Sequence, residues 1–117
     1  MNQQIIATNN TNKWVPICSV SEVEPGDVMQ AELPDGHKLA VYNLDGDIYV
    51  TDDRCTHGEA SLSEDGMVEG EEIECTWHFG RFDIRTGKAC GMPCTVPLKT
   101  WNVEVQGDQI FVEDDRS

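Results

Sequence analysis

Apolar and polar positions along this chain recur mostly in short runs broken by Gly, Pro and Asp, with little of the spacing an amphipathic helix needs. Lys13 to Cys18 (KWVPIC) is a short apolar run, and EPGD at Glu24 to Asp27 is a turn with Pro and Gly in favourable places. VMQAEL and KLAVYNL follow, split by Pro34, Asp35 and Gly36. Asp45-Gly46 then joins KLAVYNL to DIYVTD, and Asp-Gly between two β-rich runs is a strong hairpin signal. Further on, TWNVEV and QIFVED alternate around Gln106-Gly107-Asp108, which predicts a second, half-buried hairpin. Strands this short, joined by tight turns, predict an all-β fold, a small antiparallel sandwich or barrel. No repeat or linker divides the chain, so residues 13–113 are expected as a single domain between polar tails at 1–12 and 114–117.

Charge narrows the partners. Against 22 acids there are 8 bases, a formal charge of −14 over 117 residues, which argues against nucleic acid and anionic membranes because both require clustered Lys and Arg. No segment approaches the roughly 20 apolar residues of a membrane span. The start, MNQQIIATNNTN, lacks the cationic and hydrophobic regions of a signal peptide. A cytoplasmic location with reduced thiols is therefore expected, and an odd count of 5 Cys fits it better than a disulfide framework.

The chemistry concentrates in CTHGEASLSEDGMVEGEEIECTWH. Cys55-x-His57, a spacer of 17 residues, and Cys75-x-x-His78 give two loops that each offer one thiolate and one imidazole. Three readings compete: core cysteines and surface histidines without metal, a tetrahedral structural zinc, or a [2Fe–2S] centre with two Cys on one iron and two His on the other. The usual zinc pattern groups like ligands together, which this one does not.

At this point the sequence resembles the small Rieske-type ferredoxins of bacterial multicomponent aromatic-ring dioxygenases, such as those acting on biphenyl, toluene, naphthalene or carbazole. The likeness runs from about Trp14 to Val112 and includes DD-x-CTHG, an acidic loop, EC-x-x-H-x-G-x-F-D, TGK, a proline-containing segment and a final hairpin. It implies the Rieske fold, with a cluster-binding subdomain at about 53–97 formed by two ligand loops. It further implies that Cys55 and Cys75 bind the inner iron, and His57 and His78 the outer one. Gly58 and Gly80 would let backbone N–H groups approach the sulfides, although each is equally an ordinary turn glycine. The third, covering loop corresponds to Gly91–Pro97, and Trp77 either shields the cluster or packs in the core.

Departures from the wider Rieske family refine the expectation. The loops lack the extra cysteines that respiratory Rieske proteins join as a disulfide. Gly80 and Phe82 stand where those proteins carry hydroxyl donors that stabilise the reduced state, so the potential is expected toward the lower end of the roughly −150 to +300 mV Rieske range. The resemblance implies a monomeric one-electron carrier, not itself an enzyme. It would pass electrons from an NAD(P)H-dependent flavin-containing ferredoxin reductase to a terminal oxygenase through transient, electrostatic encounters. A Rieske-like small subunit of another redox enzyme, such as nitrite reductase, is the alternative within the class, and a zinc-stabilised interaction module the alternative outside it. His37, in PDGHK, reads as an exposed loop histidine, and Cys18, Cys90 and Cys94 form no site.

Overall fold

The computed structural model describes residues 13–56, 60–76, 80–91 and 96–116. The expected N-terminal tail at 1–12 lies outside them. Three antiparallel sheets account for nearly all of the regular structure. The first has the order β1 (Lys13–Ser19), β11 (Gln109–Asp114), β10 (Val103–Gln106). The second runs β2 (Val28–Glu32), β3 (Lys38–Leu44), β4 (Asp47–Asp52), β9 (Thr100–Trp101). The third, inserted between β4 and β9, runs β5 (Gly66–Glu69), β6 (Glu72–Cys75), β7 (Arg81–Asp83), β8 (Ala89–Gly91). A single helical turn, α1 (Leu62–Asp65), precedes β5. No described helix is long and apolar enough to cross a membrane.

Both expected hairpins form where the turn chemistry places them. Leu44 pairs with Asp47 across Asp45-Gly46, whose φ values of 58° and 101° suit the tight β-hairpin turn that Asp-Gly favours. Gln106 pairs with Gln109 across Gly107-Asp108.

Two results differ from the sequence reading. TWNVEV is not one strand: β9 pairs with β4, while β10 pairs with β11, so the chain changes sheets at Asn102. The corner is held by Asn102 Nδ2 donating to Glu113 Oε1 at 2.8 Å and Glu113 N donating to the Asn102 carbonyl at 3.0 Å. The expected acidic loop is also largely regular structure, because most of it folds into α1 and the β5–β6 hairpin.

The central strand explains the near-continuous apolar run KLAVYNL. Leu39 and Val41 enter one core with Val50, Trp101, Ile110 and Val112, whereas Ala40 and Tyr42 enter a second core with Leu62, Ile73, Phe82, Ile84 and Leu98. Because successive strand residues face opposite sides, β3 has no solvent face to supply polar positions. The fully buried Tyr42 hydroxyl lies 2.9 Å from Thr51 Oγ1. Thr51 in turn donates to the Asp52 carbonyl at 2.8 Å, so Tyr42 is the donor in the pair. Burial pushes its ionisation well above the ordinary phenol value and keeps that proton in place.

Candidate metal centre

Cys55 follows β4 and Cys75 ends β6, so strands from two different sheets deliver the two thiols. Both are 2% exposed and belong to the core that contains Ala60, Ile73, Phe82 and Leu98. Each loop closes in the same way. Cys55 N donates to the Ala60 carbonyl at 3.0 Å, and Cys75 N donates to the Gly80 carbonyl at 2.8 Å. A residue six along, counting the cysteine as the first, therefore caps both loops despite their different internal spacing. His57, Gly58, Trp77, His78 and the 92–95 part of the proline-containing segment, with Cys94, lie outside the described residues.

The first loop is braced by a buried carboxylate. Asp53, 3% exposed, accepts Ser61 Oγ at 2.6 Å, Gln30 Nε2 at 3.0 Å and the Ser63 amide at 2.8 Å. All three partners donate, which suits an ionised carboxylate. Ser61 also caps α1, accepting the Glu64 amide at 3.3 Å. One anion thus ties β2, the end of β4 and the start of α1 together directly before Cys55.

Residues after each cysteine extend the bracing. Thr56 Oγ1 donates to the Val96 carbonyl at 2.8 Å. Thr76 donates to the Asp65 carbonyl from both its amide and its hydroxyl. The segment leading away from Val96 is held as well: Leu98 N donates to the Gly87 carbonyl at 2.7 Å, and Asp52 N donates to the Lys99 carbonyl at 2.9 Å.

Phe82 is fully buried in the same core as the two cysteines, and Gly80 is buried beside Cys75. Apolar bulk and bare backbone therefore stand where a hydroxyl-bearing variant would place donors.

His37 lies in the loop before β3, as expected, but is half-buried and packed against neighbours. Its Nε2 lies 2.8 Å from Asp52 Oδ1, which also accepts Trp101 Nε1 at 2.9 Å, and its ring is 5.6 Å from that of Trp101. It braces the β4–β9 end of the sheet. Sequence spacing offers no signal for this, since the three residues come from distant positions. Cys18 is half-buried, and burial with the Glu22 carboxylate pushes its thiol up to about 11. At pH 8 its thiolate fraction is then far below that of an unperturbed thiol, and because a more basic thiolate is also the better nucleophile, iodoacetamide should label it about tenfold more slowly than an unperturbed thiol. Labelling at the ordinary rate would contradict that burial. Desolvation, then Glu72, also raises Cys90, which is exposed on β8.

Two cysteines buried in one core, neither in a disulfide, supply the soft donors that an iron–sulfur centre needs and place them away from water. Over residues 13–102 the chain matches the Rieske [2Fe-2S] domain. It belongs to that family. A Rieske-type [2Fe–2S] cluster is accordingly the cofactor, which displaces the zinc and metal-free readings. Among Rieske relatives, the ferredoxin component of the p-cumate 2,3-dioxygenase system of Pseudomonas putida is 54% identical over 109 residues, covering 93% of this chain and 92% of the relative. The solved Sphingomonas yanoikuyae B1 ferredoxin superposes with a TM-score of 0.81 at 39% identity, covering 86% of this chain and 97% of that one. A chain in the complex of reduced oxygenase and oxidized ferredoxin in carbazole 1,9a-dioxygenase superposes with a TM-score of 0.78 at 41% identity, covering 85% and 91%.

Proposed function

We propose that this Rieske protein is the ferredoxin of an aromatic-ring dioxygenase system, a cytoplasmic monomer that carries one electron at a time from an NAD(P)H-dependent flavin reductase to a terminal oxygenase. The observation that carries this reading is 54% identity along 93% of the chain to the ferredoxin component of a p-cumate 2,3-dioxygenase system. Cys55 and Cys75 would hold one iron, and His57 and His78 the other. When bound, the cluster supplies a single reversible electron, moving between about zero and about −1 in net charge.

The chain's own residues set the conditions for that exchange. Cys55 and Cys75 lie in an apolar core with Phe82 and Ile73, where no water competes for the thiolates. Without a hydroxyl at Gly80 or Phe82, the reduced form loses stabilisation, which holds the potential low and favours onward transfer to an oxygenase. The surplus of acid, 22 acids to 8 bases, orients the carrier toward basic patches on its partners. The encounters are transient, because a shuttle must leave as readily as it docks.

The test is reconstitution. Purified protein should contain two iron and two acid-labile sulfides per chain, and NADH with a flavin reductase should reduce it and support turnover of a terminal oxygenase. Raising ionic strength from about 0.02 to 0.3 M shortens the screening length below about 10 Å and should slow that transfer about tenfold. Salt-insensitive rates would remove the steering role. A protein that no such reductase reduces would remove the carrier role.

A further inference from the structure

The segment that follows Val96 is held at three points by unequal means. Leu98 and Lys99 are tied through backbone groups, to Gly87 and to Asp52. Val96 is tied through a side chain, its carbonyl taking the Thr56 hydroxyl at 2.8 Å across 40 residues of sequence. Between these ties Leu98, 2% exposed, enters the core that holds Cys55 and Cys75. Residues 96–98 thus form a lip at the edge of the core that holds both cysteines, and Thr56, adjacent to Cys55, fastens its leading end.

We propose that Thr56 is a positioning residue whose hydroxyl latches this lip shut and thereby sets how long the cluster survives. This rests on Cys55 and Cys75 being cluster ligands, as proposed above. The physical route is solvent entry. A side-chain hydrogen bond contributes about 0.5–1.5 kcal/mol net, so its loss raises the open fraction of the lip about threefold to tenfold. Each opening loosens the core around Cys55 and Cys75, and cluster loss scales with the time spent open.

Thr76 provides an internal contrast. It occupies the matching position after Cys75, and its hydroxyl also reaches a backbone carbonyl, that of Asp65. There, however, the Thr76 amide donates to the same carbonyl, and Gly66 pairs with Cys75 in the neighbouring strand. Loss of the Thr76 hydroxyl leaves that segment fastened. Two hydroxyls in equivalent places therefore differ in consequence.

The experiment uses holo-protein under air with excess EDTA and follows bleaching of the visible absorbance. Thr56→Val preserves the branched shape and removes the donor, and should bleach about threefold to tenfold faster than wild type. Thr56→Ser restores the hydroxyl and should return to within about twofold of wild type, as should Thr76→Val. Urea midpoints of Thr56→Val and Thr76→Val should agree with each other, since each variant loses one hydroxyl. Equal bleaching of Thr56→Val and wild type overturns the latch, as does failure of Thr56→Ser to recover, or Thr76→Val bleaching as fast as Thr56→Val. Should Thr56→Val hold no cluster at all, Thr56→Ser decides: a wild-type lifetime supports the latch, and an equally empty protein overturns it. Wild-type iron and sulfide content separately tests the cluster reading, so the two failures are distinguishable.

Discussion

Asp53→Ala is expected to lower stability by about 4 kcal/mol, read as a fall in the urea midpoint of the holo-protein. The carboxylate is 3% exposed and receives three donors from two segments, Gln30 of β2 and Ser61 and Ser63 at the start of α1. Truncation leaves those part-buried donors without an acceptor, toward the lower end of about 1–3 kcal/mol each. The sum is moderated because Ser61 and Ser63 can turn to one another, their hydroxyls being 3.1 Å apart. Asp53→Asn should recover only part of the loss, about half. Both oxygens of Asp53 accept, Oδ1 from an amide and Oδ2 from two side chains, whereas an amide offers one acceptor and sets N–H against N–H or O–H at the other position. A wild-type midpoint for the alanine variant, or full recovery by asparagine, would refute the network as the brace of the loop that begins at Cys55.

Gly87→Ala should be nearly as damaging, about 3 kcal/mol, for a reason that combines two effects. Gly87 has φ +80°, and a Cβ there would overlap the Leu98 carbonyl oxygen and press on Thr100 Cγ2. The left-handed backbone alone costs a residue with Cβ about 1–2 kcal/mol. The overlap adds loss of the Leu98 N to Gly87 O bond and of Leu98 packing in the cysteine core. Gly70→Ala separates the two effects, since Gly70 has φ +63° with nothing near its absent Cβ. It should lose only the backbone contribution, about 1 kcal/mol. Equal losses at the two positions would show that the close approach of Leu98 is unimportant. The glycine of TGK thus has a packing reason as well as a turn reason.

How far the sequence foretold this structure depends on the range of the interaction. Asp45-Gly46 and Gly107-Asp108 make local demands that the backbone alone can meet, and both hairpins formed there. The Cys/His motif at Cys55 and Cys75 stood out because its spacing is a local pattern within each loop. The β5–β6 hairpin was hidden because GMVEGEEIEC is short and strongly acidic. Its apolar contribution is small, with Ile73 fully buried, Val68 partly so and Met67 53% exposed. The division of TWNVEV at Asn102 was hidden because alternation records which face a residue takes and not which sheet it joins. Contacts between distant segments left no trace: Thr56 with Val96 across 40 residues, Asp53 with Gln30 across 23, and Trp101 with Asp52 across 49. The partners of His37, Asp52 and Trp101, were hidden for the same reason.

The double-faced strand β3 has a consequence for how the molecule tolerates change in length. Its neighbours Leu39, Ala40, Val41 and Tyr42 are assigned alternately to two compartments, one shared with β11 and one shared with both cysteines. Inserting or deleting a single residue there would exchange the occupants, sending Tyr42 to the place of Val41 and stranding its hydroxyl away from Thr51. Length variants should survive at the Asp45-Gly46, Gly70-Glu71 and Gly107-Asp108 tips and fail within β3. By composition KLAVYNL is an interchangeable apolar run, yet it is the stretch with the least freedom to shift.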